Sequence, residues 1–258
     1  IMSHATIPLN ERQHGPIAAF GAKTDVGRVR ITNEDQANAL ANEYGDIFLV
    51  VCDGMGGQNK GDYASKLAID IVSSAFLAKK HFGLFPKLWL KRTIEKANRR
   101  IHDEAESSPE YANMGTTIVA ALITGEKVIV ANVGDSRAYS YSKEAGLKRL
   151  SRDQTYVEYL ARTGQISQEE TLTHKDRHVL MNALGIFPSA AMDIQVFPYQ
   201  GEAILLCSDG FYNNLSEMEA RAVLSTDERA DQKVKALIID ANANGGSDNI
   251  AVILIKAD

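Results

Sequence analysis

Nearly continuous apolar strands are the feature that most constrains how this chain can fold. The clearest is segment 46–52 (DIFLVVC), which has no polar face after its first residue and therefore has to be covered on both sides. Further apolar or alternating segments predict strands at residues 17–23, 116–124, 127–133, 137–142, 194–198, 203–207 and 249–256. Gly125 and Glu126 separate two of these segments, which predicts a hairpin.

Two segments with helical apolar spacing lie between the early and the later strands. The first follows the glycine-rich turn at 54–57 and has apolar residues at positions 64, 67, 68, 71, 72, 75 and 76. The second has them at positions 90, 94, 97 and 101, and a third helix is predicted at 231–241. Groups of strands separated by paired helices favour an α+β fold, with sheets packed together and helices outside, over alternating βαβ units.

The chain contains no Pro, Gly or Ser-rich linker that would divide it, so we predict one domain over residues 17–258. Residues 1–16 are predicted to be an N-terminal extension, partly of cloning origin because Ile1 precedes Met2. Residues 151–180 are polar with only short apolar pieces, and we predict a small helical flap there on the surface of the sheets.

The bulk composition excludes several classes of protein. A net charge of −5 provides no general attraction for nucleic acid, and no apolar run approaches the ~20 residues that span a bilayer. Cys52 and Cys207 are too few for a disulfide framework, so we expect a cytoplasmic protein, without membrane insertion and monomeric. Both cysteines are interpreted as small buried hydrophobic residues; the alternative is a redox-sensitive thiol exposed to a site.

Four aspartates stand at or just beyond the ends of apolar strands. Asp53, Asp209 and Asp248 lie in FLVVCDGMGG, AILLCSDG and GGSDNIAVILI, and Asp135 lies in VIVANVGDSR. Each one alone is most often a turn residue, since Asp-Gly and Ser-Asp commonly end a strand. All four have small neighbours, which permit close approach of backbone and ligand, and together they favour a functional site.

The residue types at these strand ends favour hard metal ions. Carboxylates without paired cysteines, in segments that hold none of the six histidines, favour Mg²⁺ or Mn²⁺ over zinc or copper. Arg30 precedes Glu34 and Asp35 in TDVGRVRITNED, and a guanidinium can bind two phosphoryl oxygens at once. Metals beside a phosphate clamp indicate phosphoester hydrolysis.

Six motifs occur in the order found in the type 2C, or PPM, protein phosphatases. They are RxxxED (30–35), DGMGG (53–57), MGTT (114–117), VGDSRAY (133–139), SDG (208–210) and GGSDN (245–249). From about residue 17 to its end, the chain resembles the bacterial branch of that family, including its flap. The resemblance implies two packed antiparallel β-sheets flanked by helices, an α-β-β-α sandwich, with metals in a cleft at one edge.

The same resemblance implies two or three divalent cations, Mn²⁺ or Mg²⁺, as cofactors. Asp53 would bridge two ions, and the carbonyl of Gly54 would bind the second of them. Asp209 and Asp248 would bind the first ion. Asp135 would help to hold a third, shared with Asp209.

The remaining site residues take their implied roles from the amino-terminal motif. Arg30 would bind the substrate phosphate, while Glu34 or Asp35 would hold the second ion directly or through water. The implied reaction is hydrolysis of phosphoserine and phosphothreonine by direct attack of a hydroxide that bridges the metals. Phosphorylated proteins, including a Ser/Thr kinase and its substrates, would be the partners.

The sequence departs from the family pattern at a few positions. Met55 stands where eukaryotic members carry a histidine proposed as general acid, so that role is vacant. His178 and Asn182 differ from the residues expected in bacterial members and would alter the flap-side wall of the cleft.

Three other functions remain open on the residues alone. A catalytically silent member of the fold would have lost one of the metal aspartates, and all are present. An aspartyl-phosphate hydrolase could use Asp53 as its nucleophile, although Met55 breaks the expected DxD pattern. A metal-dependent nuclease would need a basic groove, which the acidic composition does not favour.

Overall fold

A computed structural model of the chain describes residues 19–57 and 60–256, so the predicted extension at residues 1–16 lies outside the described part. The strands of the described part are β1 (Ala19–Asp25), β2 (Asp35–Ala41), β3 (Ile47–Met55), β4 (Gly115–Thr116), β5 (Ile118–Thr124), β6 (Lys127–Val133), β7 (Arg137–Ser142), β8 (Gly146–Arg149), β9 (Asp193–Pro198), β10 (Ala203–Cys207) and β11 (Ile250–Lys256). Its α-helices are α1 (Lys60–Leu77), α2 (Pro86–Ser107), α3 (Tyr156–Arg162), α4 (Asp209–Tyr212), α5 (Glu217–Leu224) and α6 (Ala230–Ala243).

The strands form two antiparallel sheets. One has five strands in the order β1-β11-β10-β7-β8, and the other has the order β2-β3-β5-β6-β9 with β4 added beside β3. The predicted hairpin is present, with Thr124 opposite Lys127 in the β5–β6 register. These strands run close to the predicted positions, because their apolar patterns and turn residues are strong local signals.

Three apolar cores separate four layers. One core lies between α1, α2 and the six-stranded sheet, one lies between the sheets, and one lies between the five-stranded sheet and α4–α6. Strand β3 shows why its sequence has no polar face: Phe48 and Val50 belong to the helix-side core, and Leu49 and Val51 to the core between the sheets. The predicted α+β fold, a sandwich of two antiparallel sheets flanked by helices, is confirmed.

Several elements were not predicted from the sequence. Strand β2 (DQANALA) lacks β-branched residues and forms by pairing along the whole of β3, from Asp35 opposite Asp53 to Ala41 opposite Ile47. Helix α5 did carry a local signal, because Ser216 and Glu219 form a capping box at its start. Strand β8 is only four residues long and gave no usable pattern.

The polar segment 151–180 contains α3 and a 3₁₀ turn at Glu170–Leu172. The side chain of Thr155 caps α3, and the amide of Tyr156 donates to the carbonyl of Val179 at 2.8 Å. Most side chains of this segment are exposed, as expected for a surface excursion. Among the described residues, no helix combines the length and apolar character needed to cross a membrane.

Leu206 tests the importance of the core between the sheets. Its side chain is fully buried there, so Leu206→Ala should lower the free energy of unfolding by about 2–5 kcal/mol. The matched control is Val196→Ala on β9, where the side chain is 45% exposed and the loss should be about 1 kcal/mol or less. Urea unfolding of both variants measures the difference, and equal losses would contradict the layered packing.

Candidate active site

A cleft of about 900 Å³ opens at one end of the sandwich. It brings together residues that are far apart in the sequence. Those among the predicted site residues that line it are Arg30, Glu34, Asp53, Gly54, Asp135, Asp209 and Asp248. Both sheets contribute, since Asp53 lies in β3 and Asp248 lies two residues before the start of β11. Of the predicted acidic residues, only Asp35 does not line the cleft.

Asp53 is held by the two threonines of the MGTT motif. The carbonyl oxygen of Asp53 accepts hydrogen bonds from the Thr117 amide at 2.8 Å and from the Thr116 hydroxyl at 3.0 Å. The amide of Asp53 donates to the Thr117 hydroxyl at 3.0 Å, and that hydroxyl also lies 2.8 Å from the hydroxyl of Ser136. These bonds fix the backbone of Asp53 and leave its carboxylate directed to the cleft.

Gly54 occupies a place that no other residue fits without a shift. A Cβ atom there would lie 2.1 Å from the carbonyl oxygen of Gly61, in the first turn of α1. The Gly54 amide donates to the carbonyl of Glu34 at 3.1 Å, and the same carbonyl accepts from the Ser65 hydroxyl at 2.6 Å. The backbone of Gly54 is therefore clamped between the amino-terminal motif and α1.

Glu34 and Asp35, which the sequence did not distinguish, have different surroundings. Glu34 lines the cleft, and its carboxylate accepts a bond from the Gly61 amide. Asp35 is 1% exposed and lies opposite Asp53 in the β2–β3 register. Its Oδ2 accepts from the Ser208 hydroxyl at 2.6 Å, whereas Oδ1 is buried without a hydrogen-bond partner.

Asp135 is buried in a loop that is fixed on both sides. The Tyr212 hydroxyl donates to the Asp135 carbonyl at 3.1 Å. The guanidinium carbon of Arg137 lies 3.5 Å from the centroid of the Tyr212 ring. Arg137 in turn donates from Nη2 to Asp153 Oδ2 at 2.6 Å. Such a cation–π contact and forked ion pair hold the loop in one conformation.

Arg30 and Asp248 form an ion pair at the mouth of the cleft. Nη2 of Arg30 lies 2.8 Å from Oδ2 of Asp248, and the arginine side chain is 56% exposed. Asn249 anchors the loop that carries Arg30: its Nδ2 donates to the carbonyls of Val26 and Thr32, and its Oδ1 accepts from the Glu34 amide, each at 2.9 Å. Asn249, the last residue of the GGSDN motif, thus positions the loop of the RxxxED motif.

Burial and mutual repulsion raise the pKa values of the acidic residues. Burial raises the pKa of Asp35 to about 8, and the carboxylates of Asp209 and Asp248 add to the shift. Burial, followed by the charge of Asp35, raises the pKa of Asp53 well above its usual range. The pKa of Asp135 rises to about 7 through burial and then repulsion from Asp209. A cluster of this kind is stabilised either by protons or by cations.

The donor set fits hard divalent cations. It consists of the carboxylate oxygens that line the cleft and the Gly54 carbonyl. In the described part of the chain, there is no group of three or more His, Cys, Asp or Glu side chains that already forms a metal-binding site. Arg30 neutralises Asp248 in this conformation, in the way that a bound cation would.

Three further residues from the sequence analysis have clear positions. His178 lines the cleft on the flap side, as predicted. Asn182 does not line it, contrary to that prediction, because its amide donates to Gln154 Oε1 at 3.0 Å on the far side of the flap. Cys52 and Cys207 are both fully buried, in agreement with their interpretation as small hydrophobic residues.

The residues that the sequence analysis missed are neutral donors and acceptors. Thr117, Ser208 and Asn249 each hold a backbone or a carboxylate of the site, and Ser136 holds the hydroxyl of Thr117. Ser208 and Asn249 adjoin proposed metal aspartates, and this adjacency was the available signal. Serine and threonine hydroxyls are so common elsewhere that their identity alone could not assign this role.

The raised pKa values give the metal-free protein an unusual dependence on pH. Asp35 and Asp135 have pKa values near 8 and 7 when folded, against an ordinary value of 3.8. The folded state therefore binds more protons than the unfolded state, and the free energy of unfolding should fall as pH rises from about 4 to about 8. Urea unfolding in EDTA across this range measures the slope. Asp35→Asn should flatten it, Asp70→Asn on the exposed face of α1 should not, and a stability that increases with pH would contradict the assignment.

Comparison with known proteins agrees with this geometry. The sequence model of the family described as Protein phosphatase 2C matches residues 27–241. The chain is 38% identical over 241 residues to a serine/threonine phosphatase named stp from Listeria monocytogenes, covering 92% of this chain and 94% of that protein.

Solved structures of bacterial phosphatases have the same fold. Staphylococcus aureus serine/threonine phosphatase Stp1 matches with a TM-score of 0.88 at 31% identity, covering 96% of this chain and 99% of that one. The catalytic domain of the serine/threonine protein phosphatase PstP, solved in complex with two manganese ions, matches with a TM-score of 0.79 at 29% identity, covering 93% and 97%. With its family motifs gathered at one cleft of the same sandwich, the chain belongs to the protein phosphatase 2C family.

Proposed function

We propose that this chain hydrolyses phosphoserine and phosphothreonine in proteins, using two or three divalent cations, Mn²⁺ or Mg²⁺. The observation that carries the proposal is the convergence of Asp53, Asp135, Asp209 and Asp248 beside Arg30 in one open cleft. Cations stabilise buried like charges of this kind, and a phosphate ester is a substrate that cations and a guanidinium bind together.

The positions of the side chains support the ligand roles that the family resemblance implies. Asp53, Asp209 and Asp248 would hold the two main ions together with the carbonyl of Gly54, and Asp135 would hold the third with Asp209. When bound, the ions would lower the pKa of a coordinated water, so that hydroxide is available to attack phosphorus.

The choice between Glu34 and Asp35 follows from their exposure to the cleft. Glu34 lines it and is the acidic residue that would contact the second ion or its waters. Asp35 lies behind Asp53, bonded to the Ser208 hydroxyl, and would act by fixing the position of Ser208 beneath the site. Because Asp35 cannot reach the cleft in this arrangement, we assign it a positioning role.

Arg30 is the residue that we assign to the substrate phosphate. Its guanidinium lies at the cleft mouth, more than half exposed, and only one of its terminal nitrogens pairs with Asp248. The remaining donors can reach an incoming phosphoryl group, whose oxygens match the planar fork of an arginine. Met55, which also lines the cleft, cannot donate a proton to the leaving oxygen.

The partners and cellular setting are proposals of the same kind. We infer phosphorylated proteins as substrates, including a Ser/Thr kinase and its targets, for a monomeric cytoplasmic enzyme without membrane insertion or nucleic-acid binding. One domain over residues 17–258, with a flap at about 151–180 over the cleft, fits this assignment: Leu172, Arg177 and His178 from the flap line the cleft.

Metal dependence is the first test of the proposed function. Release of phosphate from a phosphothreonine peptide should require added Mn²⁺ or Mg²⁺, because the ligand set is all oxygen. The activity should also resist inhibitors of non-homologous protein phosphatases. Asp53→Asn should lower kcat by about a hundredfold or more through loss of a ligand, while Asp70→Asn should match the wild type. Full turnover after exhaustive chelation would remove the proposal.

Arg30→Ala separates phosphate binding from metal binding. Loss of a hydrogen bond to a charged group should lower kcat/KM about ten- to a hundredfold, and Arg30→Lys should recover only part of it. The Kd for Mn²⁺ should not increase, because Arg30 competes for Asp248 Oδ2 rather than supporting it.

The matched control for Arg30 is Arg28→Ala. Arg28 is exposed in the same loop but does not line the cleft. If the two alanine variants had the same kcat/KM, Arg30 would be only an ion partner of Asp248.

A further inference from the structure

The cations of this chain are concentrated in one short segment. Residues 79–100 contain eight lysines and arginines and a single carboxylate, Glu95, in a chain whose net charge is −5. The rest of the protein is therefore more acidic than the total suggests. Such a block of like charge on a helix is typical of a surface that binds an anionic partner.

The structure places this charge on the outer face of α2. The helix buries Leu90, Ile94, Ala97 and Ile101 against the six-stranded sheet. Outside this buried stripe the helix exposes Lys87, Lys91, Arg92, Lys96, Arg99 and Arg100, which we call the basic face, and its exposed carboxylates Asp103 and Glu106 come after them. Lys80 is also exposed, in the connection between α1 and α2. The net charge of the chain does not reveal this face, because acidic residues elsewhere in the sequence outweigh its positive charge.

Large apolar side chains are exposed where the basic face begins. Leu84 is 89% exposed and Phe85 is 69% exposed in the loop before α2, and Leu88 is 41% exposed in its first turn. Apolar side chains of this size in one short loop are rarely left in water without a partner. They stand at the amino-terminal end of α2, where the exposed charged side chains as far as Arg100 are cationic, while the exposed carboxylates Asp103 and Glu106 lie near its other end.

The charges of α2 are not arranged to give the helix its greatest stability. A helix is stabilised by carboxylates in its first turn and cations in its last, and α2 has neither an acidic residue in the first nor a basic residue in the last. Its N-cap is Phe85, which provides no side-chain hydrogen bond. Lys91 precedes Glu95, and Arg100 precedes Glu104, in the less favourable order for pairs four residues apart. Helix stability alone therefore does not explain this arrangement.

We propose that the basic face of α2, with Leu84, Phe85 and Leu88, docks this protein on the surface of an anionic lipid membrane. Lysine and arginine side chains bind acidic lipid headgroups, while exposed leucine and phenylalanine side chains enter the boundary with the acyl chains. A nucleic acid or an acidic polypeptide would satisfy the cations but provides no apolar layer for Leu84 and Phe85. The protein lies on the membrane in this arrangement and does not cross it.

Docking on this face leaves the cleft accessible. Helix α1 runs from Gly61, which contacts Gly54 and Glu34 at the site, to Leu77 near the loop that carries Leu84. Its 18 residues separate the two regions by about 27 Å along the helix axis. A docked molecule can therefore receive phosphoproteins close to the membrane.

Sedimentation of the full chain with vesicles tests the proposal directly. The protein should pellet with vesicles of phosphatidylcholine containing about 30% phosphatidylglycerol at about 0.1 M salt, and remain in the supernatant with phosphatidylcholine alone or at about 0.5 M salt. Lys87→Glu/Arg92→Glu should weaken binding about tenfold or more. Its Tm should be unchanged or higher, because carboxylates then enter the first turns of α2 and precede Lys91 and Lys96 by four residues.

Two further variants distinguish the face from general charge. Lys148→Glu/Lys235→Glu makes the same change in net charge at exposed lysines of β8 and α6 and should bind vesicles like the wild type. Leu84→Ser/Phe85→Ser leaves the charge unchanged, provides a better N-cap residue for α2, and should still weaken binding about fivefold or more. Both patch variants should retain wild-type turnover of a soluble phosphothreonine peptide.

Vesicle binding requires no turnover, so its outcome is independent of the proposed phosphatase activity. Absence of the wild type from the phosphatidylglycerol pellet at low salt would overturn the proposal, as would equal losses in the patch and control charge variants. Full binding by Leu84→Ser/Phe85→Ser would also overturn the lipid assignment. Retention on heparin without vesicle binding would assign the face to an acidic macromolecule instead.

Discussion

Repulsion among buried carboxylates is the constraint on which the rest of this structure depends. Asp35, Asp53, Asp135 and Asp209 all have raised pKa values, because the fold removes them from water and places them near one another. An arrangement of this kind opposes folding unless apolar burial elsewhere exceeds it. The three apolar cores provide that burial, and the apolar strands that build them end at the acidic residues.

Neutral hydrogen bonds determine where each carboxylate lies. Ser208 joins the two sheets, since its hydroxyl donates to Asp35 in one sheet and accepts from the Ala251 amide in the other. The Thr117 hydroxyl fixes the backbone of Asp53, and the Asn249 side chain fixes the loop that carries Arg30. None of these side chains changes the charge of the site. They fix its geometry and leave neutralisation to protons, to Arg30 or to cations.

The charges of the protein are distributed unevenly over its surface. Negative charge is gathered at the cleft, and positive charge is gathered along α2 as far as Arg100, on a different layer of the sandwich. Helix α1 joins the two regions, because its first turn packs against Gly54 and its last turn lies before the exposed apolar loop. The net charge alone describes neither region, since the two partly cancel.

The sequence by itself determined the apolar strands, the main helices and the set of acidic residues. Periodicity, Asp-Gly turns and motif order are local patterns, so 46–52, the hairpin around Gly125 and Asp53 could be placed without coordinates. Only the tertiary structure decided that β2 pairs with β3, because DQANALA has little strand propensity of its own. Tertiary packing also placed Glu34 in the cleft and Asp35 behind it. Glu34 immediately precedes β2 and Asp35 begins it, and which of the two is buried depends on neighbours that are distant in the sequence.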